Sequence, residues 1–267
     1  MRSEYNSFMS ALKQSKESPL FEDLAWEKPE RKDQAGKLLI IGGNLHGFSA
    51  VAKADETAKE QGIGYTRILL PDSLRRTLAP LWTDAVFCPS TSSGSFSKEA
   101  RDQIFQNAQW ADGILLAGDF GRNSETAMLI EEILFSLSLP IAITKDALDY
   151  YLQHPSTVLK RQNTFVVASF SQAQKILQTS KFSEALNFNM PIASLVGTLE
   201  RFMKNEASTL ITKMDDHIIN VDKNNSVLTT IPGSPDIWRL EVATKAIVAV
   251  IHHPSKQFEA VCHCLLN

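Results

Sequence analysis

The chain has 267 residues, 43% of them hydrophobic and 21% charged, with a formal net charge of -3. That length can bury a large core as one α/β domain or two small ones, and the mild acidity argues against a nucleic-acid binder, whose phosphate contacts need a basic face. Three cysteines (Cys88, Cys262, Cys264), a polar start without a signal-peptide core, and apolar runs no longer than stretches such as Ala246 to Ile251 exclude a disulfide framework and a membrane-spanning helix, so a soluble cytoplasmic protein is expected.

Residues 1–31 read as an N-terminal arm, a short helix and then an irregular lead-in closed by Pro29. From Lys37 the pattern changes. "KLLIIGG" is a continuous apolar run ending in two glycines, the mark of a strand buried on both faces. A helix is expected over Ser49 to Gln61, with Ala50, Ala54 and Ala58 along one face. The alternation repeats. "YTRILLP" precedes a helix over Asp72 to Leu81, "DAVFCP" one over Ser97 to Gln109, and "DGILLAG" one over Asn123 to Leu137. "PIAIT" precedes a helix around Asp146 to Gln153, and "TFVVAS" one around Gln172 to Gln178. Strands alternating with helices in this way form a mostly parallel sheet covered on both faces. After a helix near Ile192 to Lys204, "STLITKM", "HIINVD" and "VLTTIP" read as an antiparallel meander joined to that sheet. Helices over Pro235 to Ile251 and Ser255 to Leu266 close the chain, giving one α/β domain over residues 32–267.

The glycines at strand ends, Gly42-Gly43 and the Gly118-Asp119-Phe120-Gly121 segment, fall where parallel sheets bind ligands. "TTIPGSPDIWRL" follows a strand and opens a helix, a natural place for anion-handling chemistry. Ser-Pro-Asp is also an ordinary helix start, with Ser234 as cap and Pro235 in the first turn. His252, His253, Cys262, His263 and Cys264 have no Cys-x-x-Cys pair, and neighbours on a helix point apart, so no metal site is assigned to them.

These features in this order resemble the ADP- or ATP-dependent NAD(P)H-hydrate dehydratases, which have a ribokinase-like fold. Lys32, Gly36, Gly42, Gly43, Ala50, Gly62 and Gly64 stand at matching places in "KDQAGKLLIIGGNLHGFSAVAKADETAKEQGIG". Asn44 replaces the family's serine, Gly47 its tyrosine, and Ser49 a glycine. In "ADGILLAGDFG", Gly118 and Gly121 match, while Asp119 displaces a proline. In "ITKDALD", Asp146 matches and Thr144 replaces the first of two aspartates. Lys213 matches a lysine, and "PGSPD" stands where the family writes Gly-Thr-Gly-Asp. Ala168-Ser169-Phe170 and Gln172-Ala173 replace its Thr-Pro-His and Gly-Glu.

The resemblance implies Asp236 as catalytic base, with Gly233, Ser234 and Lys213 binding the nucleotide's anion. It implies Gly43, Asn44, Ser49, Gly118, Gly121 and Asp146 as substrate contacts. The implied cofactors are Mg2+ with ADP or ATP, the implied substrate is hydrated NAD(P)H, and the implied assembly is a homo-oligomer. Pro235 removes one N–H from the expected anion hole, and Asp119 would repel a nucleotide phosphate unless Mg2+ bridged them. Two alternatives stay open, the first motivated by losing the family's Thr-Pro-His, Gly-Glu, first aspartate and tyrosine together with gaining Pro235, the second by the alcohol kinases that share this fold. One is a catalytically inactive nucleotide- or partner-binding descendant; the other is a small-molecule alcohol kinase.

Overall fold

In this computed structural model, residues 11–233 and 238–266 are described. Leu38, Leu39, Ile40 and Ile41 are all buried, because β2 (Lys37–Gly42) runs through the middle of a sheet covered on both sides. Side chains alternate across a strand, so Leu39 and Ile41 enter one core and Leu38 and Ile40 the other. Ile114 and Leu116 of β5 (Gly113–Gly118) divide from Leu115 and Ala117 in the same way.

The remaining strands are β1 (Leu12–Gln14), β3 (Tyr65–Pro71), β4 (Ala85–Cys88), β6 (Ile141–Thr144) and β7 (Thr164–Val167). They are completed by β8 (Thr209–Met214), β9 (His217–Val221) and β10 (Ser226–Thr230). The order across the sheet is β1-β10-β9-β8-β7-β6-β5-β2-β3-β4. From β8 to β4 every pairing is parallel, and β9 runs antiparallel to both β8 and β10. The expected parallel sheet with a C-terminal meander is therefore present.

One face is covered by α1 (Ser49–Glu60), α2 (Arg75–Leu78), α9 (Arg239–His252) and α10 (Gln257–Cys264). Ala50, Ala54 and Ala58 meet the sheet there, as their spacing of four predicts. The other face carries α3 (Arg101–Ala108), α4 (Ser124–Ser136), α5 (Lys145–Asp149), α6 (Ser156–Leu159), α7 (Phe170–Thr179) and α8 (Ile192–Met203). Asn123 caps α4 through its side chain, which accepts from Glu125 and Thr126 N–H.

Three local readings change. The helix expected at the start of the arm falls largely outside the described residues, and its described end is a strand: β1 pairs in parallel with β10 at the sheet edge. Gln14 explains the docking, since its buried amide donates to Thr229 Oγ1 at 2.8 Å and to the Cys262 carbonyl at 2.7 Å. The helix expected around Asp146 to Gln153 is α5 alone, followed by hydrogen-bonded turns such as His154 N–H to Tyr151 O. Asp72 to Leu74 is a 3-10 turn leading into the single turn of α2.

Candidate functional site

The strand order reverses once, between β2 and β5, and a sheet of this kind opens a crevice outside the carboxyl ends of those two strands. The loops there are stitched together. Gly43 N–H donates to the Gly118 carbonyl at 3.0 Å, and a Cβ on Gly42 would stand 2.5 Å from the same oxygen. Only glycine permits that approach. Asn44 and Gly47 exchange backbone hydrogen bonds at 2.8 and 3.0 Å, closing a tight turn. Inside it, buried Asn44 donates its amide to the Asp119 carbonyl and accepts from His46 N–H at 2.7 Å. Asn44 is thus a brace between the two loops.

Charge collects on the next layer. The Asp119 carboxylate accepts from Ala50 N–H at 2.8 Å, from the Ser49 hydroxyl at 3.4 Å and from the Lys145 ammonium at 2.8 Å. Burial works against its ionisation, but Lys145 and the Ala50 N–H outweigh it, so its pKa lies below the usual carboxylate value. Asp146 goes the other way. Burial and the negative charge of Asp119 raise its pKa, and Gly121 N–H, donating to Oδ2 at 3.0 Å, offsets this only in part. Its Oδ1 is buried and has no hydrogen-bond partner among the described residues. Gly118, at φ 101, must be glycine on both counts: a Cβ would lie 2.8 Å from Lys145 Cβ and 3.0 Å from that Oδ1.

A second group forms at the start of α7. Ser169 and Gln172 make a capping box, each side chain satisfying the other's backbone. Gln172 also donates to the Lys145 carbonyl at 2.9 Å and to Asp149 Oδ1 at 2.6 Å, and accepts from Arg239 at 2.7 Å. Arg239 stands at the first position of α9, half-buried, its pKa lowered by burial although Asp149 and Asp146 favour its charge. Tyr150 donates to the Gly121 carbonyl at 2.6 Å, and burial pushes its phenol up to about 12. Phe170 is buried at the edge of this group, its ring tilted against that of exposed Phe188 with centroids 4.2 Å apart.

Among the residues expected from sequence, Gly43, Asn44, Ser49, Gly118, Gly121 and Asp146 come together in this one network. Lys213 lies farther along the same sheet edge, at the end of β8. Gly233 donates its N–H to Asp216 Oδ1 at 3.2 Å, in the turn just beyond Lys213. Ser234 and Asp236 lie outside the described residues, as does the expected helix start at Pro235; α9 is described from Arg239. Thr144, at the lost aspartate, donates its buried hydroxyl to the Val167 carbonyl at 3.1 Å.

Lys145 and Arg239 were not singled out by the sequence, and Gln172 stood there only as a departure from the family's Gly-Glu. Two left a trace there. Ser169-Phe170-Ser171-Gln172 is a legible capping box, and an arginine opening a helix is opposed by the macrodipole and therefore needs a local partner.

Comparison with known proteins bears on this arrangement. No family model matches the chain. A bifunctional NAD(P)H-hydrate repair enzyme of Methanothermobacter thermautotrophicus is 31% identical over 120 residues, 44% of this chain and 23% of that protein. Over a stretch of about that size the chain is similar to the NAD(P)H-hydrate repair enzymes. It spans about a quarter of the length of the curated repair enzymes it matches. A ribokinase-like superfamily protein of Enterococcus faecalis superposes with TM-score 0.71 at 14% identity, covering 95% of this chain and 85% of that one. The ADP/ATP-dependent NAD(P)H-hydrate dehydratase of Bacillus subtilis, co-crystallised with ATP and Mg2+, gives 0.60 at 12% identity over 92% and 85%. At these identities the likeness is one of fold, which is ribokinase-like. Asp119, which displaces a proline of the repair-enzyme pattern, meets Lys145 from the next loop beside the crevice.

Proposed function

We propose that this chain dehydrates hydrated NADH or NADPH at the expense of ADP or ATP, as a divergent dehydratase of cytoplasmic nucleotide repair acting as a homo-oligomer. The observation that supports the reading most directly is the crevice itself. The strand order reverses where Gly43, Asn44, Ser49, Gly118, Gly121 and Asp146 converge, and these are the positions the family pattern marks for substrate.

The nucleotide supplies the phosphoryl group when bound. Lys213 and the backbone at Gly233 would hold its anionic end, and Asp236 would take the proton from the substrate hydroxyl. A carboxylate suits that task because it is ionised at neutral pH and accepts a short hydrogen bond from a hydroxyl. Mg2+ takes oxygen ligands and commonly keeps water and substrate phosphates among them. Among the described residues no group of three or more His, Cys, Asp or Glu could hold a metal ion.

A non-catalytic nucleotide-binding role is the second reading, and Gln172 favours it. Where the family writes Gly-Glu, Gln172 spends its side chain on four hydrogen bonds within the protein, and buried Ala173 brings no charge for substrate.

Calorimetric titration with ADP and with ATP, each with Mg2+, tests the first requirement. Saturable binding is expected, followed by recovery of NADH from its hydrate by the wild type. Asp236→Asn should abolish turnover while binding nucleotide. Absence of binding at millimolar nucleotide overturns the enzyme reading. Binding without turnover by the wild type leaves the second.

A further inference from the structure

The first helix of the crevice has no cap of its own. Phe48 precedes α1 and makes no side-chain hydrogen bond to it. The N–H groups at such a start lack intrahelical partners and favour negative charge. Here the charge arrives from β5: Asp119 Oδ2 accepts from Ala50 N–H, and Oδ1 accepts from Lys145.

The pair is built into the wall of the cleft. The Asp119 and Lys145 side chains are 19% and 30% exposed, so both border solvent. Both residues have left-handed backbone, with φ of 59° and 54°, a conformation that non-glycine residues seldom adopt. Gly47 leaves the carboxylate uncovered on one side, since the nearest atoms to a Cβ built there are those of Asp119, at 3.8 Å.

A ligand group reaching this point meets a helix end already occupied by a carboxylate and an ammonium already neutralised. A phosphate would have to displace Asp119 from its partners and then face its charge. A neutral hydrogen-bonding group would not.

Within the reading proposed above, we infer that the Asp119–Lys145 pair determines specificity. It makes the crevice beside α1 accept a neutral part of the substrate, a carboxamide or a sugar hydroxyl, and turn phosphate away. The nucleotide's phosphates are then confined to the Lys213 end of the sheet edge.

Opposite substitutions test this. Asparagine suits left-handed backbone, and its amide oxygen still accepts from Ala50 N–H, so Asp119→Asn removes the charge and keeps the cap. Inorganic phosphate is titrated into wild type, Asp119→Asn and Lys145→Asn without nucleotide, with melting temperatures recorded alongside. Asp119→Asn is expected to bind phosphate at least about tenfold more tightly, because Lys145 is released to it. Lys145→Asn is expected to bind it more weakly than wild type. The two signs must differ. Shifts in the same direction, or an Asp119→Asn variant that melts like wild type with phosphate affinity within about twofold, reduce the pair to a helix cap and overturn the inference. Should Asp119→Asn not fold, Asp119→Gly, which also suits left-handed backbone, carries the same expected gain. ADP binding by the wild type reports separately on the nucleotide reading.

Discussion

At Gly42 a single hydrogen atom allows two loops to meet. A methyl group there would press on the Gly118 carbonyl and on Val51 Cγ2 at 2.8 Å, and neither strand can yield without shifting its neighbours. Gly42→Ala is expected to cost roughly 2–3 kcal/mol, read from the midpoint of urea unfolding. An unchanged midpoint would mean that the β2 and β5 ends are not held this closely. Asp146 is a case of sign. Its folded pKa is raised, so the folded state keeps this proton to higher pH than the unfolded chain does. The stability it contributes is present below the unfolded value and is lost as pH rises through the folded one. Asp146→Asn should therefore be at least as stable as wild type at neutral pH. Its advantage should fade as the pH falls into the carboxylate range, which denaturation at a series of pH values would show. Wild type remaining the more stable at neutral pH would refute this. The glycine pair at the end of β2 is legible in the chain as a strand terminus. Its reason is not, because the atom that forbids a side chain belongs to β5.

Two elements carry consequences of their own. β1 is only three residues long, yet Gln14 ties it to both β10 and α10. Gln14→Ala is expected to destabilise the protein by about 1–2 kcal/mol, since it strips a buried hydroxyl and a buried carbonyl of a donor. Loss of well under that amount in urea unfolding would make β1 a passive edge. Across α9 and α10, His252, His253 and His263 all have pKa values lowered by burial. Lys28 lies near all three, Lys256 and Glu27 flank His253, and His263 has neither ring nitrogen hydrogen-bonded among the described residues. Depressed pKa values mean that the unfolded chain binds these protons first. The associated stability is present above the unfolded histidine range and is lost as the pH falls below it. Unfolding free energy should drop between about pH 7.5 and about pH 5.5, and less steeply in His263→Leu. Equal slopes would clear His263 of this role. The α9 and α10 periodicities announce helices, but not that their histidines face one another.

For the molecule as a whole, nucleotide binding should appear as stability. A ligand that binds only the folded state, present at a hundred times its Kd, adds about 2.7 kcal/mol. ADP with Mg2+ should raise the melting temperature accordingly, by the same amount in Asp236→Asn as in wild type. No shift at saturating ADP would count against a nucleotide site anywhere on this fold.

Hydrophobic periodicity is a property of neighbours along the chain. For that reason the sequence alone determined the strands from Lys37 onward, the alanine face of α1, the parallel order of the sheet and the terminal meander. It also determined which glycines and carboxylates stand at strand ends. The strand order decided the rest. Only the reversal between β2 and β5 brings Asp119 onto the start of α1 and Lys145 onto Asp119. Only the closing of α9 over the sheet brings Arg239 to Gln172. Each of these contacts joins residues distant in sequence, and their charges find partners only when the strands lie side by side. A carboxylate at the end of β5 can be read locally as repelling a phosphate, but the ammonium that neutralises it and the helix end it caps exist for it only in the folded chain.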